Sequence, residues 1–379
     1  MKKICYITTI SLTIKSFFIP QLKYLADNGY KTTVICSSDE KLKKELEEHT
    51  EYIPVEIARG ISPLTIGKSI IELRKIFERE KFDMVQYSTP NAAFVASIAS
   101  RLAGVKIRNY HLMGFRYLGA KGILRYILKM LEKISCRNST HIECVSKSNL
   151  ELGVKEKIFD EKKACVVWNG SSGGVDLKRF DAGKRDEWRK EIRHNLGYKE
   201  DEFIFGFVGR ITKDKGIDEL LSAFLNQMGP SKLLLIGHAE GVDTLNQELY
   251  EKARNCKNIQ FVDAVADIEK YYAAIDVLVF PSYREGFGNV VIEAAATGTP
   301  AIISNIPGPV DAVIPEETAK LIEARDVLSL QSAMEDMLDN KEKIKEMSEK
   351  ACDFVVKHFD SAELNKKILE RKKNLLKTL

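Results

Sequence analysis

The chain has 379 residues, 44% hydrophobic and 30% charged. That composition excludes a disordered chain and suffices for two domains of ordinary size. No apolar run approaches the ~20 residues of a membrane-crossing helix, and a net charge of +4 is too small to argue for nucleic acid. Cys5, Cys36, Cys136, Cys144, Cys165, Cys256 and Cys352 form no C-x-x-C pair and have no histidine at ligand spacing. They read as reduced thiols of a cytoplasmic protein rather than as zinc ligands or disulfides.

The apolar stretch after Met1-Lys2-Lys3 is too short and too polar for a signal peptide and predicts a first strand at 3–8. Residues 16–26 have helical apolar spacing, stopped by Asn28-Gly29. Then come a strand at 31–36, a charged helix at 41–48, a strand at 52–57, and a helix at 65–80 with Ile66, Ile70, Leu73 and Phe77 along one side. A strand at 83–87, a small-residue helix at 91–103, a strand at 105–111, a helix at 123–136 and strands at 141–145 and 164–168 follow. Residues 169–174, Asn-Gly-Ser-Ser-Gly-Gly, are turn formers and predict a linker.

After a charged helix at 184–196 the alternation restarts. Strands are expected at 203–208, 231–236, 258–262, 276–280 and 300–303, with helices at 216–228, 243–255, 266–274 and 288–297. The remaining stretch, with Lys and Glu interleaved, predicts helices. This rhythm implies α/β architecture with parallel, doubly wound sheets. The expectation is two Rossmann-like domains facing a central cleft: 1–172, 173–358, and a last helix, 359–379, packing back on the first domain. In such sheets ligands sit outside the carboxyl ends of the strands.

Four features lie at such places. Between the strands at 276–280 and 300–303 runs Pro281-Ser-Tyr-Arg-Glu-Gly-Phe-Gly-Asn-Val-Val-Ile-Glu293. Gly286 and Gly288 let the backbone approach a ligand, and the helix start offers free N–H groups to a phosphate. Glu285 precedes the helix and Glu293 is expected about two turns along it, where a carboxylate can accept ribose hydroxyls. The second feature is Gly209-Arg210-Ile-Thr-Lys-Asp-Lys215-Gly216. Its two cations suit a pyrophosphate, Arg as a fork and Lys as a point charge, or are simply solvated. The third is His111, ending a strand of the first domain, with Gly114 and Arg116 close behind. No Ser or Cys stands at a nucleophile elbow. The fourth is a basic helix. Lys121, Arg125, Lys129 and Lys133 recur every four residues and share a face, opposite Ile123, Leu124, Ile127, Leu128, Met130, Leu131 and Ile134. It reads either as a membrane-surface helix or as a buried helix with a lysine-covered outside.

Together these elements resemble the retaining glycosyltransferases of the GT-B fold, specifically glycosyltransferase family 4. The likeness rests on the E-x7-E pair Glu285 and Glu293, on Gly-Arg-x4-Lys-Gly at 209–216, on His111, and on the joint from Asn169 to Phe180. The resemblance implies that the second domain binds a nucleotide sugar, usually a UDP-sugar, with no metal or other cofactor. Arg210 and Lys215 would hold the diphosphate and stabilise the leaving nucleotide. Glu285, with Gly209, Gly286, Phe287, Gly288, Asn289 and Val290, would touch donor sugar and phosphate. Glu293 would take the ribose, and His111 would reach the sugar from across the cleft, so that activity depends on domain closure.

Leu-Thr near the start and His-x-x-Gly-Phe-Arg further on look like bacterial capsule, O-antigen and glycan-lipid enzymes. The implied acceptor is a polyprenyl-diphosphate-linked glycan held by Arg116, Lys121, Arg125 and Lys129. The protein would lie on the inner face of the cell membrane. Two places depart from the common family pattern: Thr8-Thr9 stands where many members carry Gly-Gly, and Leu112-Met113 separates His111 from Gly114. The rival readings are a UDP-sugar epimerase of similar architecture and a non-catalytic nucleotide-sugar-binding subunit.

Overall fold

Seven strands of the first half form one parallel sheet in the order β3-β2-β1-β4-β5-β6-β7. They are β1 (Lys3–Ile7), β2 (Lys31–Cys36), β3 (Thr50–Pro54), β4 (Met84–Ser88), β5 (Ile107–Leu112), β6 (His141–Cys144) and β7 (Ala164–Val166). The computed structural model describes residues 1–57, 63–226 and 229–377. It divides into two units, Met1–Gly173 with Ala362–Leu379, and Gly174–Ser361.

In the first unit both sheet faces are buried, as parallel strands require. Cys5 and Ile7 of β1 join Val85, Leu73, Phe77 and Ala96 on the side of helices Pro63–Glu80 and Pro90–Leu102. Ile4 and Tyr6 turn to the other side, where Leu22 of helix Ile19–Asp27 meets Leu369, Leu375 and Leu376 of helix Ser361–Lys377. Those three leucines supply on the order of 5 kcal/mol at most to the attachment of the last helix. The same helix buries Lys372, whose ammonium donates to Glu143 on β6 at 2.9 Å and to Gln86 on β4.

The second unit repeats the plan with six parallel strands, ordered β10-β9-β8-β11-β12-β13. They are β8 (Phe203–Val208), β9 (Ser231–Ile236), β10 (Ile259–Val262), β11 (Val277–Phe280), β12 (Ala301–Ser304) and β13 (Ala319–Ile322). In each sheet the order reverses once, between β1 and β4 and between β8 and β11. Such a switch point opens a crevice at the carboxyl ends of two neighbouring strands.

The elements differ from expectation in a few places. The helix expected at 16–26 is two, Ser11–Phe17 and Ile19–Asp27, broken at Phe18. Pro20 explains the break: it has no N–H to continue a helical ladder but fits the first turn of a new helix. Helix Lys147–Lys155 was not expected. Ser146 caps it, and its Gly153 faces the Phe159 ring so closely that a Cβ would lie 2.3 Å from it. Strand β13 was also unexpected; it is four residues long, and β12 is its one neighbouring strand in the sheet order. The helix expected at 216–228 spans Ile217–Asn226, and its expected end lies outside the described residues.

Candidate active site

The loops leaving β8 and β11, at the switch point of the second unit, are stitched together. The Tyr283 amide donates to the Asp214 carbonyl at 3.0 Å, and Arg284 pairs with the Asp214 carboxylate at 3.0 Å. Gly216 makes the approach possible. Its φ is +72°, and a Cβ there would stand 2.2 Å from the Pro281 carbonyl oxygen. The stitching brings Lys215 from one loop onto Glu285 from the other as a mostly buried ion pair, and Lys215 also lies 5.7 Å from the Phe280 ring centroid. Burial raises the Asp214 carboxyl. The Thr212 hydroxyl and the charges of Arg284, Lys215 and Arg210 outweigh it, and the group ends below its ordinary range. Three cations therefore converge on this crevice. Arg210 is the most exposed, half in solvent and only 3.6 Å from Glu240.

Helix Asn289–Ala296 begins here, with Gly288 as its cap residue at φ +98°. Gly286 and Asn289 are partly exposed at its mouth, whereas Phe287 is buried against Phe359 at 5.2 Å between centroids. Phe287 is therefore a core anchor of the loop, and only its backbone borders the mouth. Because the helix starts at Asn289, Glu293 lies about one turn in, not two. Its Oε2 accepts from the Tyr272 hydroxyl at 2.9 Å. Burial pushes the Glu293 carboxyl upward, opposed by the Tyr272 hydroxyl and the Arg179 charge. Among the described residues no three His, Cys, Asp or Glu are grouped to hold a metal ion. The arrangement can bind a multiply charged anion on its cations and hydroxyl groups on its two carboxylates.

His111 does not lie open. It is nine-tenths buried on β5, edge-on to Phe18 at 5.4 Å, with its Nε2 meeting no partner. It borders a cavity of about 20 Å³, room for one water, lined also by Gln21, Glu143, Ser171, Leu364 and Ile368. Burial lowers its pKa to about 4, with Glu143 opposing and Lys372 adding to the fall. At neutral pH it is an uncharged ring inside the first unit. Met113 and Gly114, just beyond it, are half-buried. At the first unit's own switch point, Thr9 and Thr89 are hydroxyl-bonded at 2.8 Å, and Thr89 has φ +68°.

On the basic helix, Gly122–Asn138, several apolar residues share the outward side with the exposed cations Arg125 and Arg137, so the reading with all apolar residues inward does not hold. Arg125 and Lys129 fold back onto Glu156, at 3.8 and 2.6 Å, and onto the Tyr117 ring at 5.7 and 5.6 Å. The inward positions are Leu128, Glu132, Ser135 and Cys136. The outward ones include Ile123 and Tyr126, 79% and 67% exposed, with Leu124 and Met130 beside them. The apolar count of this helix misled because its inner seam carries an acid and two small polar or thiol groups. Lys121 is exposed at the helix cap, and Arg116 is exposed and donates to Asn91 at 3.0 Å. Sequence reasoning missed Tyr272, Asp214 and Arg284 in the second unit and the Glu143–Lys372 pair in the first.

Residues 21–172 match the family described as Glycosyltransferase Family 4, and residues 188–354 match Glycosyl transferases group 1. The chain is 31% identical to the capsular polysaccharide biosynthesis glycosyltransferase CapM of Staphylococcus aureus, over 90% of this chain and 88% of that protein. The chain belongs to glycosyltransferase family 4. The transferase is also 28% identical to the UDP-Gal:alpha-D-GlcNAc-diphosphoundecaprenol alpha-1,3-galactosyltransferase of Escherichia coli, over 85% of its own length and 84% of that enzyme. Its fold is that of sucrose-phosphate synthase from Thermosynechococcus elongatus, with a TM-score of 0.83 and full coverage of both chains at 19% identity. The architecture is therefore the two-domain GT-B fold, and the chain is a glycosyltransferase with relatives in bacterial surface-glycan assembly.

Proposed function

We propose that this glycosyltransferase moves a sugar from a nucleotide sugar of the UDP class to a glycan carried on polyprenyl diphosphate. The anomeric configuration is retained, and the product enters a bacterial surface polysaccharide. The observation that carries the donor half is the meeting of Lys215 and Glu285 at the switch point between β8 and β11. Without ligand the two charges neutralise each other. An arriving diphosphate competes for the Lys215 ammonium, and the released Glu285 carboxylate becomes an acceptor for donor-sugar hydroxyls. Arg210 and Lys215 then face the charge that develops on the departing nucleotide, where preplaced cations lower the barrier. The names of the relatives, one a UDP-galactose enzyme acting on a diphosphoundecaprenol-linked sugar, support the substrate classes.

The acceptor side rests on helix Gly122–Asn138. Its outward Ile123, Leu124, Tyr126 and Met130 stand between the cations Lys121, Lys133 and Arg137. That combination suits an anionic bilayer surface, with apolar side chains in the acyl boundary and cations at the headgroups. No helix among the described residues is long and apolar enough to cross a membrane. The attachment proposed is peripheral, with Arg116 and Lys121 left to meet the acceptor diphosphate.

The test is transfer of labelled sugar from a panel of UDP-sugars to undecaprenyl-diphosphate-linked N-acetylhexosamine. The lipid product should form with acceptor and not without it, and NMR should show the donor's anomeric configuration preserved. Lys215→Ala and Glu285→Ala should each lower the rate by about 10²–10³. Wild-type rates in both variants would refute the donor assignment.

A further inference from the structure

Glu293 uses only half of its carboxylate inside the protein. Oε2 is held by the Tyr272 hydroxyl at 2.9 Å, and among the described residues no donor meets Oε1. Tyr272 itself is immobilised. It is wholly buried on helix Ile268–Ala274, its carbonyl accepts from the Thr299 hydroxyl at 2.7 Å, and its ring lies 6.2 Å from Phe180. Arg179 lies within electrostatic reach of the same carboxylate. It cannot swing onto it freely, because it is tied to Glu269 at 2.9 Å and to the Ala266 carbonyl at 2.6 Å. Glu293 is half-buried, and Oε1 is not among the buried unpartnered atoms, so it is open to solvent and within reach of a ligand hydroxyl.

We infer that Tyr272 is a positioning residue for nucleoside recognition: it pins Glu293 Oε2 so that Oε1 presents its lone pairs to the ribose hydroxyls of the donor. This rests on the donor reading above and adds to it the group that sets the carboxylate's orientation. Without the phenol, the Glu293 carboxylate rotates about its terminal torsion, which is broad and two-fold. The ribose then pays for ordering it.

The experiment is calorimetric titration of the full chain with UDP and with 2′,3′-dideoxy-UDP. Wild type should bind UDP at least tenfold more tightly than the dideoxy nucleotide, as a hydrogen bond to a charged group implies. In Tyr272→Phe that ratio should fall toward one while the affinity for dideoxy-UDP is unchanged. A merely structural tyrosine would weaken both ligands alike, and a ratio undiminished in Tyr272→Phe overturns the inference alone. Glu293→Gln is the second variant. Its amide oxygen takes the Tyr272 hydroxyl and turns the NH₂ toward the ribose, so the ratio should again collapse. Full discrimination in this variant also overturns the inference. If wild type binds none of UDP, ADP, GDP and dTDP, the donor reading falls and this inference falls with it.

Discussion

Replacing Lys372 by alanine should weaken the attachment of the last helix to the first unit. The ammonium is 1% exposed and its partner carboxylate, on Glu143, 5% exposed. Burial alone would raise the Glu143 carboxyl, and the adjacent Lys372 charge outweighs it and holds the group below its usual range. Removing one member of a buried pair costs about 3–5 kcal/mol, because the other charge is left uncompensated. Arg371 stands 3.7 Å from the other Glu143 oxygen and moderates this, so about 3 kcal/mol is expected. The two tryptophans permit a clean assay, since Trp168 belongs to the first unit and Trp188 to the second. In a Trp188→Phe background, urea unfolding followed by Trp168 fluorescence reports the first unit alone.

The pH dependence supplies a second reading of the same pair. In wild type the Glu143 pKa is lower folded than unfolded, so its stabilisation is present above the unfolded value and lost as pH falls through the folded one. In Lys372→Ala the buried carboxyl has lost its cation and its folded pKa rises above the unfolded ~4.3. Its penalty then grows as pH climbs from there. The deficit should therefore be larger at pH 8 than at pH 5. Glu143→Gln combined with Lys372→Met should recover to within about 1 kcal/mol of wild type. A deficit under about 1 kcal/mol, or one equal at both pH values, would refute the reasoning.

Ile123→Ser with Tyr126→Ser should abolish co-sedimentation with phosphatidylglycerol vesicles and leave the melting temperature unchanged; undiminished sedimentation would locate the membrane contact elsewhere. Glu132 is buried on the inner seam of its helix, and burial lifts its pKa to about 7 against the opposing Tyr110 hydroxyl. A folded pKa above the unfolded one costs stability as pH rises between the two, so Glu132→Gln should stabilise the first unit by on the order of 2 kcal/mol at pH 8 and little at pH 5, by the same Trp168 signal. Gly216→Ala should cost about 2 kcal/mol or more, from its positive φ and the blocked contact with Pro281. Trp188 fluorescence should show the loss confined to the second unit.

Of the thirteen parallel strands among the described residues, twelve were expected near their places, because each was an apolar run bounded by turn residues. The thirteenth, β13, is an edge strand, Ala319–Ile322, whose lysine breaks up its three apolar residues and leaves no apolar run to read. The donor crevice was legible because its chemistry is local: Gly209 to Gly216 and Pro281 to Glu293 are continuous segments with their glycines and charges in place. What could not be read was any side chain whose meaning lies in a distant partner. His111 looked like a strand-end histidine, yet its surroundings are made by Glu143 and by Lys372 from the last helix. Glu132 stands among the basic and apolar residues of its helix, and only tertiary packing shows that it is buried on the inner side while Ile123 and Tyr126 are exposed.

The last helix closes a contact between Gln86 and Lys372, separated by 286 residues. During synthesis the first unit therefore emerges with that face of its sheet covered by helices Ser11–Phe17 and Ile19–Asp27 but not yet by the last helix, and with Glu143 lacking Lys372. The residues of the second unit, 174–361, are contiguous and leave the ribosome before the missing helix does. The second unit can complete its fold while the first still waits. The unit begun first can thus be the one completed last, with the surface that Leu369, Leu375 and Leu376 will cover left open until then.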